Sequence, residues 1–347
     1  MLKMSKKLLL AGLLLCLLVQ APFIMAATNE PVEFKLAVQD APTMKIGDKT
    51  IDHPHYAMSL AFKNALEQYS HGKFKVEIYT NARLGDSKST LEQVLMGNIG
   101  AACVSDAQLS PFNKNIQVFM APFTFRDATQ LYAIVDGAFG KKFFNDMAAK
   151  SGLRALTSYV QGIQSFTTSK KLVKVPADMK GLKIRTAESQ LHMEVVRAVG
   201  AAPVPIAWLE VYSALQTGVA DGQVNIPNSV LVGSLYEVQK YYTVTNHVYS
   251  LAFLLAGEKY LKSLSPDLQQ AFVKAGKEAS EAGRKAVRDA ESLVMETLER
   301  KGMVIYYPTS AEMKLWRQTR ESGIEWLKKN TDPKLVNELL KAVKKAK

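Results

Sequence analysis

Arg185 is the residue best suited to do chemistry in this chain of 347 residues. A guanidinium is charged at every ordinary pH, and its planar fork of donors matches a carboxylate. Residue pattern alone leaves two readings open. Arg185 is either a surface group paired with Glu188 or Glu210, or a cation held for a negatively charged small molecule. A second group, Asp52, His53 and His55, has ligand-type side chains close in sequence. Two histidines two apart in a proline-containing loop are thin grounds for a metal site, and neither metal nor cofactor is expected. The chain has no HExxH, GxSxG, Walker loop or dinucleotide fingerprint, and its acidic residues form no pair that singles out an acid and a base. The expectation is therefore a binding protein and not an enzyme. The rival is an exported hydrolase or lyase acting on a small acid through His55 and nearby carboxylates.

Arg185 must be positioned by the elements around it. Lys183 to Arg185 follow the turn pair Lys180-Gly181 and start a strand. Leu191, Val195 and Val199 then mark a helix face that Gly200 stops. A short strand with Pro203 and Pro205 follows. Trp208, Val211 and Leu215 share the next helical face, Gly218 ends it, and Asp221-Gly222 turns the chain into Val224-Asn225. Strand, helix, strand, helix, strand brings several carboxyl strand ends side by side, where ligands bind in crevices.

These residues carry a family resemblance. Asp178-Met179-Lys180-Gly181-Leu182-Lys183-Ile184-Arg185, Gly200-Ala201-Ala202-Pro203-Val204-Pro205, Glu210-Val211-Tyr212, Ala214-Leu215-Gln216-Thr217-Gly218 and Asp221-Gly222-Gln223-Val224-Asn225 stand in fixed order. The stretch resembles the signature of the DctP-type solute-binding proteins, the extracytoplasmic receptors of tripartite ATP-independent periplasmic (TRAP) transporters. Outside it the likeness is diffuse but covers nearly all of the mature chain, through Ser70-His71-Gly72-Lys73, Leu84-Gly85, Gly97 and Pro122-Phe123 with Phe125.

The resemblance implies that Arg185 clamps a ligand carboxylate and that Asn225 donates its amide to the same group. Trp208 matches an aromatic position and either walls the pocket or anchors its own helix. Gln164 stands where some members, notably sialic-acid receptors, carry a second arginine, so a ligand held by two arginines is not expected. The expected ligand is a small organic acid with one clamped carboxylate. Dicarboxylates stay open, since His55, Lys88 or another lysine could take a second one. His55 and Tyr56 after the first strand, and Ser105 after the third, either face the pocket from the other lobe or serve their loops. Asn228 either contacts ligand or turns the chain after Pro227. The implied partners are the membrane subunits of a TRAP transporter, although a sensor's ligand module would read the same.

The resemblance implies an α/β, two-lobed, periplasmic-binding-protein-like fold (type II-like), and the pattern of the rest of the chain agrees with an α/β class. Phe34, Leu36 and Val38 alternate as a first strand, residues 40–55 read as a loop, and Met58, Phe62, Ala65 and Leu66 mark a helix. Strands follow at Phe74, Val76 and Ile78 and at 99–104, with a helix between them. Alternating strands and helices argue for a covered parallel sheet. The resemblance implies that the chain crosses between lobes at residues 162–168 and back at 241–247, giving lobe I as 28–160 with 251–285 and lobe II as 161–250 with 286–347. Ser265-Pro266-Asp267 starts a helix that runs to Gly302, roughly 50 Å, long enough to span both lobes. A short strand at 303–306 and a last helix, capped by Thr309 and Glu312 and carrying Leu315, Trp316, Ile324 and Trp326, end the chain.

Composition bounds the partners. Hydrophobic residues are 48% and charged residues 22%, as in globular proteins. Lys3, Lys6 and Lys7, an apolar run from Leu8 to Val19, and Ala26-Ala27 read as a signal peptide over residues 1–27 and imply a periplasmic location. The apolar run is short for a retained anchor. Lipid attachment at Cys16 is disfavoured by the bulky Leu15 before it. Without the three leader lysines, the formal charge of +12 becomes +9. The basic residues form no stripe interleaved with aromatics, so nucleic acid is not an expected partner. Cys103 is then the one cysteine left, in an apolar run that suits an inert buried thiol, and the protein is expected to be a monomer.

Overall fold

The computed structural model describes residues 30–346, so the signal peptide expected over residues 1–27 and Cys16 lie outside the described residues. Eleven strands are β1 (Val32–Val38), β2 (Thr43–Ile46), β3 (Lys49–Asp52), β4 (Phe74–Tyr79), β5 (Ala101–Ser105), β6 (Leu153–Thr168), β7 (Lys183–Thr186), β8 (Ala202–Pro205), β9 (Gly222–Asn225), β10 (Tyr241–Gly257) and β11 (Val304–Tyr306). Nine of them form one sheet in the order β4-β1-β5-β10-β6-β9-β7-β8, with β11 also on β10.

The sheet has two halves joined by its two longest strands. β1 lies parallel between β4 and β5, and β7 lies parallel between β8 and β9. β6 and β10 pair antiparallel along both halves. β5 takes β10 at residues 252–256, while β9 takes β6 at 165–168. Between these stations the β6–β10 register shifts, at Thr243/Val248 and again at Ser250/Leu251. Gly162 there has φ +154, a conformation L side chains rarely adopt, and Ile226 would lie 3.0 Å from any Cβ added. A bulged ladder bends its strands locally and increases their twist.

Alternation in β1 explains one core. Phe34, Leu36 and Val38 point to one face and bury against Met58, Phe62 and Leu66 of the helix Pro54–Tyr69 and against Phe272 and Ala275 of the long helix. The Phe34 and Phe272 rings meet edge-on at 5.4 Å. That long helix, Pro266–Arg300, is continuous over 35 residues. It lies on the helix Pro54–Tyr69 and β6 at one end and on the helix Pro227–Val232 and β11 at the other, as its length predicts. β8, which holds Pro203 and Pro205, is an edge strand, where a missing N–H is tolerated. Cys103 is buried, and burial pushes its thiol pKa up.

Two expectations need correction. Residues 40–55 are not plain loop: β2 and β3 form a hairpin turning at Gly47, φ +58. Met44 and Ile46 alternate with lysine and threonine, and both are buried with Val211, Leu215, Leu298 and Met303. The last helix is three helices, Ser310–Arg317, Thr319–Asn330 and Pro333–Lys345. Pro333 cannot continue the preceding helix and starts its own. Trp316 and Ile324 are buried as expected, whereas Leu315 is exposed. Among the described residues no helix is long and apolar enough to cross a membrane.

Candidate functional site

The carboxyl ends of strands from both halves meet at one small cavity. β1 delivers Asp40, β5 Ser105, β7 Arg185 and β9 Asn225, and the chain leaving β8 delivers Trp208. The cavity is about 80 Å³ and adjoins a wider cleft of about 820 Å³, with Asp40 and Trp208 lining both.

Arg185 is only 4% exposed. Its Nε and Nη2 donate to the Ile206 carbonyl at 3.0 and 2.7 Å, which fixes the guanidinium plane. Neither Glu188 nor Glu210 bonds to it, so the surface-pair reading fails. Burial pushes its pKa down to about 10, with the Glu188 charge opposing, and the group stays a cation at neutral pH. A buried cation without a carboxylate is unfavourable unless something else bears the charge. Beside it, His192 is 2% exposed and its Nε2 has no partner. The Gln164 amide, 7% exposed, has an unpartnered Oε1. Buried polar groups left open at a cavity wall point to a ligand that completes them.

The opposite wall is a chain of hydrogen bonds. Asp40 Oδ2 is 2.7 Å from His55 Nδ1, and His55 Nε2 is 3.2 Å from Gln161 Oε1. Gln161 Nε2 donates to Ser250 Oγ at 2.8 Å, and Ser250 donates to Asp106 at 3.1 Å. Burial works to raise the Asp40 pKa, but the His53 and His55 partners outweigh it and hold it at about 2. Asp106 goes the other way: burial pushes it up to about 7 against the N–H groups of Leu251 and Ala107 and the Ser250 hydroxyl.

Five of the eight candidate residues, beyond Arg185 itself, therefore line the cavity: Asn225, Trp208, Gln164, His55 and Ser105. Two do not. Tyr56 is half-buried in the helix after His53 and lines none of the cavities described here. Asn228 faces a separate cavity of about 230 Å³ between the crossing strands and the long helix. Lys88 is not on the cavity wall either. Asn225 donates its amide to Gln223 at 3.1 Å and accepts from the Ile226 N–H, leaving one amide hydrogen available. Sequence reasoning missed Asp40, Gln161, His192, Ser229 and Ser250. Asp40 had a usable signal, since it follows the carboxyl end of the first strand. Gln161 and Ser250 had none, because only the pairing of β6 with β10 brings them together.

The metal candidate changes composition. Asp52 ends β3 and is exposed, and Asp40 takes its place beside His53 and His55, with donor atoms within 4.8 Å of one another. His53 Nδ1 accepts the His55 N–H at the helix start, and both His55 nitrogens are bonded to protein, so a cation would have to displace existing bonds.

Buried histidines set an acid limit on the fold. Burial pushes His53 down to about 4, helped by the His55 charge and opposed by Asp40. It pushes His192 to about 3, with Arg185 adding to the effect, and His247 to about 3, with His192 adding. Each takes a proton in the unfolded chain as pH falls through 6.5 but stays neutral when folded, so each withdraws stability. Asp106 acts oppositely: its raised pKa adds a proton to the folded form between 7 and 3.8. Three against one leaves stability falling as pH drops from about 7 to 5. Urea midpoints measured across that range should decrease, and His247→Asn should flatten the decrease.

Comparison with known proteins follows the same lines. The family model for bacterial extracellular solute-binding proteins, family 7, matches residues 49–329. A solute-binding protein of Verminephrobacter eiseniae is 32% identical over 265 residues, 76% of this chain and 78% of the relative. A TRAP periplasmic solute-binding protein from Bordetella bronchispeptica, with density assigned to pantoate, superposes with a TM-score of 0.81 at 30% identity, covering 91% of this chain and 99% of that one. One from Sulfurospirillum deleyianum with bound succinate gives a TM-score of 0.80 at 27% identity, covering 91% and 99%.

Proposed function

The chain belongs to the bacterial extracellular solute-binding proteins of family 7, and from that premise we propose how its site works. It is an organic-acid receptor of the TRAP-transporter class. Arg185 is the group that takes the ligand's carboxylate, through the donors not used by Ile206. Asn225 and Gln164 add amide contacts, Trp208 forms the wall towards the wider cleft, and His55 and Ser105 complete the cavity from the other half of the sheet. The observation that carries this reading is a buried, carboxylate-free guanidinium facing a cavity at converging strand ends. Tyr56 and Asn228 fall outside this set; Asn228 keeps a buried, unpartnered Oδ1 at the neighbouring cavity.

Several finer points belong to the same proposal. Residues 1–27 are removed as a signal peptide, and the mature protein acts as a monomer in the periplasm without nucleic acid. Lobe I, 28–160 with 251–285, and lobe II, 161–250 with 286–347, hinge where the β6–β10 ladder is irregular, and closure on the ligand makes contacts to both. The protein binds its acid without converting it. An exported hydrolase or lyase working through His55 is disfavoured because both ring nitrogens are already bonded.

A thermal-shift screen of organic acids tests the reading. A ligand at one hundred times its Kd stabilises the folded state by about 2.7 kcal/mol. At least one acid should raise Tm accordingly and be recovered unchanged. Consumption of the stabilising acid by purified protein would overturn it.

A further inference from the structure

We propose that the ligand is a hydroxylated monocarboxylate, of the aldonate or short hydroxy-acid kind, and that Asp40 selects it against dicarboxylates. The inference rests on the receptor reading and narrows it.

Charge on the cavity wall is asymmetric. Among the described residues lining it, Arg185 is the one permanent cation and Asp40 the one carboxylate. Lys45, Arg300 and Lys301 line the wider cleft and not the cavity itself. A ligand whose first carboxylate meets Arg185 extends past neutral groups towards Asp40, the residue shared with the cleft. A second carboxylate there would set two acceptors face to face with no proton between them and with like charge. His55 could relieve this only by giving up its bond to Asp40 or to Gln161.

A hydroxyl meets none of these obstacles. It donates to Asp40 Oδ1, which takes no side-chain donor among the described residues, and its lone pairs accept from amide hydrogens. The unpartnered Gln164 amide, the remaining Asn225 hydrogen and the Ser229 hydroxyl offer alternating donors and acceptors, which suits a run of hydroxyls. An ammonium at the same place would satisfy Asp40 but would leave the acceptors on neighbouring side chains competing for three hydrogens and the donors with nothing to bond. The solved relatives do not decide the matter: one is described with pantoate and another with succinate at similar identity. The residues of this chain do.

Calorimetric titration of the full mature protein with equal-length ligands tests this. Threonate, succinate and homoserine form a four-carbon set, and gluconate and adipate a six-carbon pair. Threonate should bind tenfold or more tightly than succinate and homoserine, or gluconate tenfold or more tightly than adipate. Asp40→Asn, nearly isosteric, should weaken that aldonate tenfold or more while leaving succinate or adipate unchanged or improved. Tighter binding of a dicarboxylate or of homoserine overturns the inference, as does an unchanged aldonate-to-dicarboxylate ratio in Asp40→Asn. Should only acids of some other class bind, the inference falls and the receptor stands. Should no organic acid bind at all, both fall. The wild-type comparison decides even if the variant misfolds.

Discussion

Arg185→Met abolishes tight binding but leaves the ligand-free protein melting within a few degrees of the wild type. Two opposing terms set the second half of that expectation. The substitution leaves the Ile206 carbonyl without the donors at 3.0 and 2.7 Å, a cost of about 1–3 kcal/mol for an unsatisfied buried acceptor. It also removes a buried cation whose pKa burial has already pushed down to about 10, which is favourable. Binding has no such compensation. Breaking a buried charge pair by removing one partner costs about 3–5 kcal/mol, or some two to three and a half decades of Kd. Arg185→Lys keeps the charge but not the fork and should lose tenfold or more. Titration with the acid found by screening, together with a melt of each apo protein, checks both halves. A large fall in apo Tm with affinity preserved would make Arg185 a structural residue and end the clamp assignment.

The largest effect on stability is expected from Gly276→Leu. The long helix meets the sheet so closely at this residue that an added Cβ would lie 2.2 Å from the Leu156 carbonyl oxygen, and at Gly283 it would lie 2.6 Å from the Tyr159 ring. A backbone oxygen cannot swing aside as a side chain can. Helix propensity favours replacing glycine by about 1 kcal/mol, but the clash forces the helix off β6 and loosens Phe272 and Ala275 from the core. We expect a net loss above about 3 kcal/mol and a Tm lower by roughly 6 °C or more. Lys277→Ala, one residue along and exposed, is the control and should change little. An unaltered melt in Gly276→Leu would mean that the helix does not seat on β6 in solution.

These two sites differ in how readable they are from sequence. The long helix was legible because its evidence is local: a Ser-Pro-Asp start and a stop at Gly302. Arg185 was legible as a cation at a strand end, but its burial and its bond to Ile206 depend on how β7 sits beside β8. Asp40 was marked by its place after the first strand, but Gln161 and Ser250 join it only through the pairing of β1, β5, β10 and β6, for which one sequence carries no signal. The hairpin at 43–52 was read as loop because proline and glycine on either side dominate a very short alternation. The division of the final helix at Pro333 had its marker in plain view, but the long run of helix-forming residues masked it.

The hairpin has a mechanical consequence. Its apolar teeth, Met44 and Ile46, are set among Val211, Leu215 and Leu298, yet His53 alone separates its second strand from the helix Pro54–Tyr69 in the other core. One residue spans at most about 3.6 Å, so there is almost no slack. Were the two proposed lobes to part, the teeth would have to slide or pull free, exposing side chains whose burial is worth about 1.5–3 kcal/mol each. On the proposed closure, the ribbon would act as a clasp, holding the mouth shut and lightening the share of closing work that the guest must supply.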